Sequence, residues 1–408
     1  MNKEIERQLN IIPARTINLV SRDELRKRIQ NALKTKTPLR VKYGADPSAP
    51  DIHLGHVVVL NKLREFQELG AVIIFIIGDF TALIGDPSGQ SQIRKPLSPE
   101  TIRVNAQTYQ EQVFHILDPQ KTEIRFNSEW FSSLSCENML KLCANATIAQ
   151  MLARDDFQKR FTEKQAISLA ELLYPIIQGY DSVMIKADIE LGGTDQLFNL
   201  LIGRDIQKAF SQKPQTIMTL PLLKGLDGKR KMSKSLNNYV GISEPPREMF
   251  GKLMSIPDSL IWDYYSLVLA KSNAEVKALR LAVETNKKHP RDVKDAIAQE
   301  IVSRFHSSQL AASASEEFKR IFSAHKYPDT IPTVTIPMSE RKNGKLWIAS
   351  LLVTAGLAKS RGAARRLIQQ GAVRIGEKKI SDAQAELEIP DGSIIQVGKR
   401  GFARIVSS

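Results

Sequence analysis

The feature that most constrains this 408-residue sequence is a strand, a helix and a second strand in immediate succession. "LRVKYGA" (Leu39 to Ala45) reads as a strand and runs into the turn residues Asp46 and Pro47. "HVVVLNKLREFQELG" follows, with Val59, Leu60, Leu63, Phe66 and Leu69 at helical spacing and Gly70 placed to end the helix. "VIIFIIG" is then apolar without alternation, the mark of a strand buried on both faces. Strand, helix, strand in that order is a right-handed crossover in a parallel sheet covered on both sides. The fold class is therefore α/β. Ligands of such sheets bind beyond the carboxyl ends of the strands. Two loops fall at that edge: "ADPSAPDIHLGH" (Ala45 to His56) and "GDFTALIGDPSG" (Gly78 to Gly89).

His53 and His56 stand at i and i+3 where the apolar helix begins, so one turn presents both imidazoles. A helix N-terminus offers free N–H groups and partial positive charge, to which imidazoles add directed donors. A phosphate site, a metal site and a plain helix start all fit this pattern. Zinc requires three or four ligands, and His115, His289, His306 and His325 supply no matching pair, so a metal fits least well. Gly55, between the histidines, leaves room for a flat ring to pack on the backbone.

Further on, "GLDGKRKMSKSLNN" (Gly225 to Asn238) concentrates Lys229, Arg230, Lys231 and Lys234 in one loop. A basic loop alone is usually a solvated turn. "ELLYPIIQGYD" carries Tyr174, Gln178 and Asp181 at i, i+4 and i+7, a polar stripe on an otherwise apolar helix. "LGGTDQLFN" places paired glycines, Gly192 and Gly193, before Asp195 and Gln196; a backbone bare of side chains admits a nucleotide, and Asp195 can bond a ribose hydroxyl. HxGH followed about 175 residues later by KMSKS, on an α/β pattern, resembles the signature pair of the class I aminoacyl-tRNA synthetases. With "YPIIQGYD", "GGTDQ" and "GDFTALIGDPSG", the sequence looks like the bacterial tyrosyl-tRNA synthetase branch of that class, the one that keeps the KMSKS form.

The resemblance implies a Rossmann-like catalytic domain over 1–245, activating L-tyrosine with ATP and passing it to tRNA(Tyr). Magnesium accompanies the ATP phosphates, and no cofactor is tightly bound. By the same resemblance His53 and His56 hold the phosphate region, while Lys231, Lys234 and Arg94 approach pyrophosphate. Gly44, Asp46, Ser48, Gly55, Gly193, Asp195, Met232, Ser233 and Ser235 line the ATP site. Asp181 takes the phenol, and Tyr174, Gln178, Asp86 and Gln196 surround the substrate ammonium and carboxylate. The sequence departs from the family pattern twice. A tyrosine that helps bind the substrate hydroxyl in the better-known branch is Lys42 here; Tyr43 is adjacent, but neighbours in a strand face opposite ways. Gln90 stands where a lysine is common.

The stretch from Arg94 to Asn145 reads as short and helical, leaving no room for an editing domain. Residues 246–325 read as an all-α domain at the anticodon region, 326–343 as a proline-rich linker, and 344–408 as a small α+β domain resembling the S-four RNA-binding fold. Net charge is +14, and eleven Lys/Arg against five Asp/Glu from Lys345 onward give that tail +6 of it. A polyanionic partner is expected there. Arg361, Arg365 and Arg366 form a helical ridge suited to a phosphate backbone, with Lys399 and Arg400 at a hairpin turn. The start is charged and no apolar run approaches membrane-spanning length, so the expectation is a cytoplasmic chain without membrane contact. Cys136 and Cys143 read as free thiols. A homodimer is expected by resemblance. The rival readings are a tryptophan-specific relative, another HxGH nucleotidyltransferase, or a non-catalytic RNA-binding protein that keeps this fold.

Overall fold

The computed structural model describes residues 1–88, 97–323, 331–337, 341, 344–376, 378–398 and 401–407. The chain divides into two compact units, Met1–Ala312 and Ser313–Ser408. The first is built on six strands: β1 (Asn18–Val20), β2 (Arg40–Ala45), β3 (Val72–Ile77), β4 (Thr122–Phe126), β5 (Ile189–Gly193) and β6 (Thr216–Leu220). Their spatial order is β1-β6-β5-β2-β3-β4. All neighbours are parallel except β1, which lies antiparallel to β6.

From β2 the chain proceeds to β3 and β4 on one side, and then returns to build β5 and β6 on the other. Connections therefore leave the ends of β2 and β5 in opposite directions, and a crevice opens between them. That is the topological switch point at which open parallel sheets bind ligands. The helix Leu54–Glu68 joins β2 to β3 as the apolar spacing predicts, and Leu54, Val57, Leu60 and Leu63 are wholly buried. β3 is buried along nearly its whole length, as expected of a central strand. The helix Leu169–Met184 carries the polar stripe and packs on Leu197–Ala209, which lies against β5.

Two elements differ from the sequence reading. β4 lies inside the stretch read as helical; its five residues pair with β3 from Ile73↔Thr122 to Ile77↔Phe126. β1 gave no sequence signal, because three residues acquire strand geometry only from Thr219, Met218 and Ile217 on β6. Helices Pro246–Met254, Asn273–Glu284 and Pro290–Phe305 supply the helical region expected after the KMSKS loop. Among the described residues no helix is long and apolar enough to cross a membrane. Both cysteines are free, at the two ends of the helix Cys136–Cys143.

The second unit is an α+β fold in its own right. Five strands run in the order Lys378–Ile380, Val373–Ile375, Ile394–Val397, Gly401–Ser407, Thr333–Ile336. Helices Ile348–Thr354 and Arg361–Gln369 pack on them around Leu352, Ala364, Ile368, Ile395 and Ile405. The strand Thr333–Ile336 lies within the segment read as a linker and pairs parallel with Gly401–Ser407. Its "TVTI" is strongly β-forming. The prolines on either side masked that preference.

Candidate active site

A cavity of about 610 Å³ opens at the switch point. Gly44, Asp46 and Ser48 reach it from the end of β2, Asp86 from the loop after β3, and Gly193, Asp195 and Gln196 from the end of β5. Tyr174, Gln178 and Asp181 line it from one helix, and His53, Gly55 and His56 from the start of another. Lys231, Met232, Ser233, Lys234 and Ser235 complete the wall. Sequence segments from Gly44 to Ser235 thus converge on one space. Arg94 and Gln90 lie outside the described residues.

The histidines begin their helix as a reciprocal cap. Gly55 donates its backbone N–H to His53 Nδ1 at 3.1 Å, and the His53 backbone N–H donates to His56 Nδ1 at 3.2 Å. The rings lie 3.9 Å apart between centroids. With Nδ1 accepting in both, the neutral rings carry their proton on Nε2. Burial holds both imidazoles neutral, His53 well below its ordinary range and His56 down to about 3, with the Lys234 charge adding to the effect. The helix-start reading is realised by this cap, and the geometry leaves both Nε2 atoms free of it. The pair caps the helix through Nδ1 and presents N–H donors through Nε2.

The KMSKS loop is held by two side chains that the sequence reading did not single out. Asp227 accepts from the Lys229 and Arg230 backbone N–H groups, each at 3.0 Å. Asn238 accepts from the Ser233 N–H at 2.8 Å and donates to Asp227 and to the Lys231 carbonyl. Lys231 is ion-paired with Asp195 at 2.6 Å. Asp195 is thus engaged by a cation, and a ribose would share or exchange that contact. Lys234 Nζ is buried without a hydrogen-bond partner, 5.6 Å above the ring of Tyr109. Burial draws its ammonium down to about 8. An unsatisfied buried ammonium beside two imidazole donors is a site for an anion.

At the other end of the cavity, Asp181 is buried and accepts from the Trp130 indole Nε1–H at 2.9 Å. Burial pushes its carboxyl up to about 7 against the opposing pull of Lys42 and the Trp130 hydrogen bond. Asn199 donates to Gln178 Oε1 and to Gln196 Oε1, each at 3.1 Å. Gln196 donates to Asp86 at 2.8 Å. Asp46 accepts from Tyr174 Oη at 2.9 Å and from Thr81 Oγ1 at 2.7 Å, so it ties the phosphate end to the acidic end. Trp130, Asn199 and Thr81 were not singled out in the sequence. Asn199 had a signal, three residues after Gln196 on a helical pattern. Trp130 had none, because its segment reaches Asp181 only through the fold. Lys42 does not line the cavity, whereas Tyr43 does, as strand alternation predicts.

A family model described as tRNA synthetases class I (W and Y) matches residues 34–323. A second, described as Tyrosine--tRNA ligase SYY-like C-terminal domain, matches residues 329–403. The chain belongs to the class I tRNA synthetases. It is 49% identical to the tyrosine–tRNA ligase of Moorella thermoacetica over 99% of this chain and 97% of that one. It is 52% identical to that of Mannheimia succiniciproducens over 91% of this chain and 92% of that one. Within the class, it is a member of the tyrosine–tRNA ligase family. Solved structures agree on the fold: an Archaeoglobus fulgidus tyrosyl-tRNA synthetase complexed with L-tyrosine superposes with a TM-score of 0.61 at 22% identity, covering 76% of this chain and 99% of that one. A C-terminally truncated Aspergillus nidulans mitochondrial enzyme gives 0.63 at 20% identity, covering 78% and 94%.

Proposed function

We propose that the crevice between β2 and β5 activates L-tyrosine with MgATP, and that the resulting tyrosyl-adenylate donates its acyl group to the 3'-terminal adenosine of tRNA(Tyr). The observation that carries this reading is the polarity of one cavity. Uncommitted N–H donors and a buried ammonium stand at one end, and a buried carboxylate at the other.

The substrate carboxylate attacks the α-phosphorus; an O–P bond forms and the bond to pyrophosphate breaks. The nucleophile is already ionised, so no side chain need remove a proton. Charge develops on the equatorial oxygens and the leaving phosphates, where preorganised donors act most strongly. His53 and His56 Nε2–H and Lys234 face that charge, and Lys231 and Arg94 join them. Gly44, Ser48, Gly55, Gly193, Asp195, Met232, Ser233 and Ser235 shape the nucleotide bed. Asp181 accepts the phenol proton in a hydrogen bond, while Tyr174, Gln178, Asp86 and Gln196 receive the ammonium and carboxylate. Magnesium enters with the nucleotide as counter-ion to its phosphates.

The tRNA backbone binds the basic C-terminal unit. Arg361 and Arg365 lie over the Trp347 ring at 5.6 and 5.1 Å and, with Arg366, are exposed. Lys399 and Arg400, outside the described residues, are proposed as further backbone contacts on their charge alone. The chain acts in the cytoplasm as a homodimer. Exposed Leu140, Ile148, Phe161 and Leu169 between β4 and β5 offer the apolar surface.

The test is single-turnover adenylate formation. His56→Ala and Lys234→Met should each slow it by about 10²–10³-fold with ATP affinity little changed, as loss of a transition-state donor does. Unchanged rates would make the HxGH start and the loop merely structural.

A further inference from the structure

Behind the acidic end of the cavity lies a charge pair that the activation chemistry does not use. Lys42 on β2 and Glu190 on β5 are register partners across the switch point. Both side chains are out of solvent, and Lys42 Nζ stands 2.7 Å from Glu190 Oε1. The same ammonium donates to the Gln178 carbonyl and to Ser182 Oγ, each at 2.8 Å. An ammonium has three donors, and all three are taken. Lys42 is therefore not available to a substrate, although it occupies the sequence position where the family's better-known branch has a hydroxyl ligand. Glu190 is fixed in turn by Ser182 Oγ at 3.2 Å and by Gln215 Nε2.

Burying an ion pair is expensive, and an apolar pair of equal volume holds a fold at least as well. The location of this pair suggests another use. Its anchors, Gln178 and Ser182, bracket Asp181 on one helix. Besides Lys42 and Glu190, the groups that bear on Asp181 are the Trp130 indole, the Asn127 amide and Tyr174. Of these, Lys42 alone carries a positive charge.

We propose that Lys42 is a positioning residue for substrate selection: its locked ammonium fixes the Gln178–Ser182 turn and supplies the positive charge that keeps buried Asp181 ionised to receive a phenol. The proposal rests on the reading of Asp181 as phenol acceptor. An ionised Asp181 facing a phenyl ring is a buried charge that lacks the phenol donor, whereas a protonated one is a neutral group that tolerates the ring. Discrimination of tyrosine from phenylalanine therefore follows the ionisation of Asp181. Burial raises that carboxyl, Lys42 is the strongest influence holding it down, and Glu190 acts the other way.

The experiment measures kcat/KM for tyrosine and for phenylalanine in ATP–pyrophosphate exchange between about pH 6 and about pH 9. It uses the full chain as wild type, Lys42→Met, Glu190→Gln and Asp181→Asn. The wild-type ratio should rise with pH as Asp181 ionises. Lys42→Met should move that midpoint alkaline by about one pH unit, and Glu190→Gln should move it acid. KM for ATP should hold steady in both. A packing role would lower activity without moving the midpoint. No shift, or two shifts of the same sign, overturns the proposal. Where Lys42→Met does not fold, judged by thermal melting, the acid shift of Glu190→Gln decides alone, and its absence overturns the proposal. Asp181→Asn should flatten the pH dependence. Should Asp181→Asn instead leave discrimination intact, Asp181 is not the acceptor and the underlying reading fails. Should it abolish discrimination while the Lys42 and Glu190 variants keep the wild-type midpoint, the proposal alone fails.

Discussion

Lys234 is the residue whose environment most directly predicts a pH dependence. Its ammonium is buried without a hydrogen-bond partner, and burial draws it down to about 8. A lysine is charged below its pKa and neutral above it. In the free protein the anion-binding charge is thus present at neutral pH and lost as pH rises through about 8. The kcat/KM for ATP should fall along an alkaline limb near that value, because this parameter reports free-enzyme ionisations. Lys234→Arg, charged throughout, should lower the rate but remove the limb. Persistence of the limb in the arginine variant would assign it to another group. At this scale the sequence carried much of the site. HxGH, the polar stripe and KMSKS were legible because each is local. Trp130 was not, since nothing near "SEWF" points to Asp181. Nor was the tie from Tyr174 to Asp46, residues 128 positions apart.

Strand ends line the proposed nucleotide bed, and two glycines there make different predictions. A Cβ on Gly44, at the end of β2, meets nothing within 4 Å and projects into open space at the cavity wall. On Gly193, at the end of β5, it would lie 2.6 Å from Asp195 Oδ1 and 2.6 Å from Leu222 Cδ2. Gly44→Ala should therefore melt close to wild type while KM for ATP rises on the order of tenfold. Gly193→Ala should push aside the ends of the Leu222 and Asp195 side chains, at a cost of up to about 1 kcal/mol, and loosen the Lys231–Asp195 pair. Thermal melting and exchange kinetics on both variants check this; equal melting losses would mean that the two glycines serve the same end. The long periodic helix Leu54–Glu68 and the apolar run of β3 were read from sequence because their patterns are self-contained. β1, β4 and Thr333–Ile336 were not. The first is too short to carry a pattern, the second sits among helices, and the third is framed by prolines and completed by residues near the chain's end.

Over the whole molecule, charge and chemistry separate. The cavity and every described residue assigned to activation lie within Met1–Ala312, while Ser313–Ser408 holds its own core and the exposed arginine ridge. Because the reversal of strand order between β2 and β5 creates the crevice, the same architecture brings the imidazole and ammonium groups and the buried Asp181 carboxyl to one cavity. The central claim is that this one crevice chooses tyrosine and activates it. The direct test is ATP–pyrophosphate exchange by the full chain with each of the amino acids in turn, repeated with Asp181→Ala. Tyrosine alone should support strong exchange, and Asp181→Ala should lose it. Exchange with tryptophan equal to that with tyrosine, or an Asp181→Ala protein that still prefers tyrosine, would contradict the account.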